Sequence, residues 1–344
     1  MEPLRKTLSI HTSPHIASGA DVARIMRHVI YALLPVCGFA IYAFGWAALL
    51  TLVVAVVVCW LSEVLFCRLL RKPATLADGS VTITGILFAL TLPPGLPLWM
   101  TVVGAFAAVG LGKFLFGGLA ANVFNPALVG RAFLQAAFPG AMTTWSPVLA
   151  ADRFSQIPSS LLAAPFMQPN YDTVSSASPL ALLKFEHTPT PLGDLFLGTT
   201  AGSLGETSSL IILLGGAYLI ARGMMSWRIP AGILVAVAVV GGISYVADSE
   251  RFGSPLFMLF SGGLMLGAMF MATDPVSSPV THRGCFVYGL LIGLVVVVIR
   301  NWGGLAEGVM YAILFANAVS PHIDNWLQPL PFGRKPGHGR ERGS

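Results

Sequence analysis

Ten apolar stretches follow one another through this chain, near residues 27–45, 47–67, 80–93, 98–117, 119–139, 205–222, 229–247, 254–272, 284–300 and 304–322. As a helix, about 20 such residues cross the roughly 30 Å of hydrocarbon in a bilayer. Few folds are open to a chain built this way. Lipid offers backbone N–H and C=O groups no partner, so each stretch must be helical, and any break at that depth needs protein or a cavity around it. The composition agrees, with 55% of the 344 residues hydrophobic and 10% charged, against roughly 25% charged in a soluble domain. The expected fold is an all-α polytopic membrane protein.

Several spans are short or interrupted. "LTLPPG" closes the third, "FNPALVG" lies inside the fifth, "GTTAGSLGETS" enters the sixth and "MATDPVSSP" leaves the eighth. Broken helices of this kind mark site positions in transporters. The spans also fall into two sets of five, the first closing on "FGGLAANVFNPALVG" and the second on "WGGLAEGVMYAILFANAVSP". An odd number of helices per copy makes the second copy inverted. The shared Gly-Gly-Leu-Ala can equally be a coincidence in a chain with 37 glycines. The expected organisation is a cytoplasmic segment 1–24, a first five-helix repeat 25–139, an external loop 140–204, a second, inverted five-helix repeat 205–322 and a basic cytoplasmic tail 323–344.

Charge sets the orientation. With the N-terminus inside, 16 of the 20 Lys and Arg fall on the cytoplasmic side, Lys113 and Arg131 among them, while Arg153, Lys184, Arg251 and Arg300 stay outside. The bias predicts an N-in, C-in topology. The polar first 24 residues lack the apolar core of a signal peptide and are expected to be retained. The basic residues lie in short clusters between spans and not along one face, so a nucleic-acid partner is not expected. Cys37, Cys59, Cys67 and Cys285 sit in or beside apolar stretches without CxxC spacing, which argues against a disulfide frame or a cysteine-held metal. His11 and His15 are separated by Pro14 in a polar segment, and no iron–sulfur set, phosphate loop or dinucleotide fingerprint is present.

Glu63, Lys113, Asn122, Asn125, Arg131, Glu206, Asp274 and Glu307 lie in or beside apolar spans, where polar groups are costly and usually functional. Asn122 and Asn125 are three apart, which predicts one helix face, and Asp274 stands at a helix break. Two amides and a carboxylate suit the carbonyl and N–H edge of an isoalloxazine ring; they equally suit backbone groups freed by the breaks. In the loop, "DTVSSASPLALLKF" places Ser178 before Pro179. Proline disfavours α geometry at Ser178 and fits the first helical position, so Ser178 is a predicted N-cap facing the free N–H groups near Leu180 and Ala181. A phosphate on that oxygen would meet a helix N-terminus. The residues by themselves are also those of an ordinary capping serine.

"SPHIASGADVARIMRHVIYALLP", "LADGSVTITGILFALTLPP", "FNPALVGRAF", "GSLGETS" and "ATDPVSSPVTHRG" together resemble the D subunit of the Rnf ion-translocating oxidoreductases, relatives of the B subunit of the sodium-pumping NADH:quinone oxidoreductase. The resemblance covers nearly the whole chain. In that family a flavin transferase joins FMN by a phosphoester to a hydroxyl within Asp-x-x-Ser/Thr-x-Ala-Thr/Ser. Asp172, Ser175, Ala177 and Ser178 match, with Ser178 where Thr is usual. The resemblance therefore implies Ser178 as the FMN acceptor and Asp172 and Ser175 as part of the recognition pattern. It implies a second, non-covalent riboflavin, to which Asn122, Asn125 and Asp274 are assigned. It further implies the A, B, C, E and G subunits of an Rnf complex as partners, with NADH and ferredoxin handled there, and a bacterial inner membrane with the flavin loop periplasmic. The function so implied is electron relay coupled to Na+ or H+ translocation. An inverted-repeat solute channel or secondary transporter without a redox cofactor is the other reading.

Overall fold

The structure, a computed structural model, describes residues 22–72, 76–118, 121–165, 167, 177–206, 208–249 and 251–328. Every regular element among them is helical. Full-length α1 (Val22–Phe44) and α2 (Trp46–Leu69) come first; α3 (Ser80–Leu90) stops short of Pro93, and α4 (Leu98–Val109) runs into a π turn at Gly110–Phe114. α5 (Pro126–Ala137) is followed by one turn, α6 (Pro139–Met142), and the polar region contributes α7 (Pro179–Glu186) and α8 (Leu192–Leu197). α9 (Ser209–Ala221) and α10 (Arg228–Ala247) precede α11 (Pro255–Phe260) and α12 (Leu264–Leu266), which ends in a second π turn at Gly267–Met271. α13 (His282–Trp302) and α14 (Val309–Trp326) complete the chain. α1, α2, α10 and α13 are long and apolar enough to cross a membrane, with shorter apolar helices at Ser80–Leu90, Leu98–Phe114 and Ser209–Ala221. The chain is a multi-pass membrane protein.

The helix surfaces show why. Along α2, Val53, Val57, Leu61 and Leu65 recur every four residues and are exposed, while Ala48, Ala55, Cys59, Ser62 and Glu63 are buried. Large apolar groups outward and small or polar groups inward are what a lipid solvent selects. Small residues also let α10 and α13 pack closely: a Cβ on Gly289 would stand 2.4 Å from the Ile229 carbonyl oxygen, and one on Gly232 2.6 Å from that of Phe286.

Several interruptions have freed backbone groups satisfied from other segments. Leu204 and Gly205 N–H donate to the carbonyls of Leu92 (3.0 Å) and Leu90 (2.7 Å), so the breaks after α3 and before α9 complete each other. Between α11 and α12, where Gly262 has φ +63°, the Arg300 guanidinium donates to the carbonyls of Met258 (2.6 Å) and Ser261 (3.0 Å). Asn125 Nδ2 donates to the Met271 carbonyl at 3.1 Å, at the end of the second π turn. These are the partners that non-helical backbone at membrane depth requires.

The structure corrects two expectations. Residues 121–125 are not helical, so Asn122 and Asn125 share no helix face; Pro126 holds Asn125 in extended geometry (φ −63°, ψ 119°), and α5 begins only after it. Arg131 does not join the basic end with Lys113. One end of the molecule brings Lys72 onto the Gly117 carbonyl (2.6 Å); the other packs Arg153 on the α1–α2 corner, its Nε donating to Tyr42 O (2.9 Å) and its carbonyl accepting from Trp46 N (3.1 Å). α5 runs from the first end toward the second and delivers Arg131 to the side of Ser178 and Glu206.

Candidate functional site

Two pockets lie along α5. The first, about 100 Å³, is lined by Ser80, Lys113, Asn122, Asn125, Phe270 and Asp274, among others, so the three residues assigned to riboflavin meet in one place. Asn125 caps α5, its side-chain oxygen accepting from Ala127 N (3.0 Å) and Leu128 N (3.4 Å), while its Nδ2 holds Met271. Its amide is thereby committed to the scaffold. Asn122 Nδ2 donates to Asp274 Oδ2 at 3.3 Å, and Asp274 also accepts from Ser277 Oγ (3.0 Å) and Val276 N (3.3 Å). Donors and acceptors of this kind fit the polar edge of a flavin. The volume, below the roughly 300 Å³ where drug-sized ligand pockets begin, holds that edge and not a whole tricyclic ring.

The second pocket, about 420 Å³, is walled by Arg131 and Gln135 of α5, Trp145, Ser178 and Phe185 of α7, and Tyr311 of α14. A narrow cleft leads on from Arg131, Trp145 and Ser178 to Glu206, Gly262 and Glu307. Ser178 is the N-cap of α7, with φ −67°, ψ 152° and its Oγ accepting from Ala181 N at 3.3 Å, and Pro179 opens the helix. The half-buried hydroxyl thus faces a cavity of ligand size with aromatic walls, and the residues present fit a flavin phosphoester. Asp172 and Ser175 lie outside the described residues.

Lys184 fixes α7 in place. Its Nζ donates to the carbonyls of Arg300 (2.9 Å), Gly303 (2.6 Å) and Leu305 (2.9 Å), an ammonium set on the C-terminal end of α13. Burial pushes its pKa below the ordinary lysine value. Arg131 Nη1 stands 3.6 Å from Glu206 Oε1, and neither that oxygen nor Arg131 Nε has a hydrogen-bond partner among the described residues.

Residues 9–333 match the family described as NQR2, RnfD, RnfE. The chain belongs to the NQR2, RnfD, RnfE family. Among its relatives, the D subunit of the proton-translocating ferredoxin:NAD(+) oxidoreductase complex of Clostridium ljungdahlii is 36% identical, over 96% of this chain and 98% of that one. The D subunit of the Na(+)-translocating ferredoxin:NAD(+) oxidoreductase complex of Acetobacterium woodii is 40% identical over 95% of each. The D subunit of the ion-translocating oxidoreductase complex of Alcanivorax borkumensis is 39% identical, over 96% and 98%.

In this member of the NQR2, RnfD, RnfE family six of the charges in or beside the spans form pairs, Glu63 with Lys113, Arg131 with Glu206, and Glu307 with Arg300 at 3.3 Å, while Asp274 is held by Asn122, Ser277 and Val276. Sequence reasoning missed Arg300, which reads as an external charge yet is 4% exposed, and Lys184, which reads as an ordinary surface lysine. The "FNP" triplet was the available signal for Asn125, since Asn before Pro is an N-cap pattern.

Proposed function

We propose that this chain is the D-type membrane component of a redox-driven ion pump of the Rnf kind, with FMN esterified to Ser178 and riboflavin at the pocket of Asn122 and Asp274. The observation that carries the reading is Ser178 itself: a capping hydroxyl at a helix N-terminus, opening on a cavity of about 420 Å³ with aromatic walls. When bound, flavins supply the electron transfer. The chain supplies position and electrostatics: α7 offers its first-turn N–H groups to the phosphate, Lys184 anchors α7, and Trp145, Phe185 and Tyr311 shield the ring from water. Asn125 organises the wall of the other pocket, and Asn122 and Asp274 present polar groups to a ring edge. Asn125 caps α5 and Arg131 lies within it, so the two pockets sit about two turns, ~9 Å, apart along this one helix, which suits a relay between two flavins.

Ten spans in two inverted halves are part of this reading. What supports them is the repeated packing: α2 lies on α3 and α4 as α10 lies on α11 and α13, and α4 lies on α5 as α13 lies on α14. Each half also holds one π turn. The A, B, C, E and G subunits of an Rnf complex are the proposed partners, a flavin transferase loads Ser178, and the loop faces the periplasm of a bacterial inner membrane. Relatives named for protons and for sodium match about equally well, so this architecture serves either ion. The test is the purified protein on a denaturing gel. Flavin fluorescence that stays with the band supports the reading; a colourless protein that moves solute in vesicles contradicts it.

A further inference from the structure

We propose that Arg131, with Gln135 one turn further along α5, forms the recognition edge for the pyrimidine side of the flavin ring held at Ser178, and that its charge favours the reduced ring. The inference rests on the reading of Ser178 as the FMN acceptor.

Arg131 and Ser178 line the same cavity and the same cleft, so a group tethered to one lies beside the other. Arg131 is 8% exposed, and a guanidinium taken out of water needs acceptors for its N–H groups. It lacks them. The Glu206 carboxylate stands 3.6 Å from Nη1, too far for a hydrogen bond, and Nε has no partner among the described residues. The two neighbouring cations each make several hydrogen bonds: Arg300 to Met258, Ser261 and Glu307, with only its Nε unpartnered among the described residues, and Lys184 to carbonyls of the α13 end. Arg131 is thus the cation along this cavity, among the described residues, whose donors are open to a ligand.

The chemistry of the ring meets that need. An isoalloxazine taking up two electrons and one proton, the proton on N5, becomes an anion whose charge lies on N1 and the C2 oxygen. A planar guanidinium fork matches those two acceptors. The Gln135 amide, along the same wall, can take the N3–H and C4 carbonyl. Charge appears at this edge only on reduction, whereas the phosphodiester at Ser178 is negative in both states. A change of potential therefore separates a ring partner from a phosphate partner.

The experiment is a spectroelectrochemical titration of the covalent flavin in the purified full chain, with dithionite as reductant. It compares wild type, Arg131→Lys and the double variant Arg131→Gln/Glu206→Gln, which removes both charges and leaves no buried carboxylate unpaired. Gel fluorescence is read on each. With flavin attached in all three, the double variant is expected to lower the ratio of reduced to oxidised flavin at a fixed potential by about tenfold, a downward shift of about 30 mV for a two-electron couple. Arg131→Lys, which keeps the charge, should stay within about threefold of wild type. An unshifted potential in the double variant overturns the inference and leaves Ser178 as acceptor. A wild-type band without fluorescence overturns the acceptor reading instead.

Discussion

Removing one charge of the Glu63–Lys113 pair should be far more damaging than removing both. Lys113 Nζ lies 2.7 and 3.0 Å from the two carboxylate oxygens of Glu63 and 3.1 Å from Ser80 Oγ. The residues are 3% and 0% exposed, so neither charge has water to fall back on. Lys113→Met removes the ammonium that faces the Glu63 carboxylate, and breaking a buried pair costs about 3–5 kcal/mol. In Glu63→Leu/Lys113→Met the desolvation of both ions disappears along with their attraction. Such replacements range from neutral to about 1–4 kcal/mol stabilising. The coupling energy from the double-mutant cycle should therefore reach about 3 kcal/mol or more. Reversible unfolding of the purified protein in mixed micelles with a denaturing detergent, followed by helical circular dichroism, gives each value. A loss below ~1 kcal/mol for Lys113→Met, the range of exposed pairs, would refute the burial that the reasoning rests on. A double variant as unstable as the single would show that packing, and not the pair, is what matters at this position.

Asn125→Ala should destabilise the protein by about 2–4 kcal/mol, since it removes a helix cap and leaves the Met271 carbonyl unpaired; Asn125→Ser should recover the capping share of about 1 kcal/mol, and equal unfolding midpoints for the two variants would contradict the cap. Asn122→Leu and Asp274→Leu, made singly, should weaken non-covalent riboflavin about ten- to a hundredfold while leaving covalent FMN in place, by leaving a ring edge unpaired. Chromatography of extracted flavin measures this, and unchanged riboflavin in both variants counts against the assignment. A topology reporter fused near Gln168 should read as external and one after Arg342 as cytoplasmic; the same side for both would reverse the orientation or change the span count.

What the sequence disclosed follows the reach of each interaction. The long spans were legible because lipid leaves an apolar stretch of that length one conformation. Ser178 was legible because its cap is written locally, by Pro179 beside it and Ala181 three residues on. Asn122 and Asn125 were misjudged by spacing alone: a rule for helical faces was applied to a segment that Pro126 keeps out of the helix. Arg131 was grouped with Lys113 because its place along the chain does not reveal that α5 begins only a few residues earlier and turns it toward Ser178 and Glu206. The pairs Arg131–Glu206 and Lys113–Glu63, and the hold of Arg300 on Met258 and Ser261, join distant segments with no local signature. They exist only once those segments are packed together.

Peptide mass spectrometry of the mature protein should find a flavin mononucleotide phosphoester on the fragment containing Ser178, lost in Ser178→Ala and kept in Ser178→Thr, which preserves both the hydroxyl and the cap. An adduct on Thr199, Thr200 or Thr207 instead, or a Ser178→Ala protein that still carries covalent flavin, would contradict it.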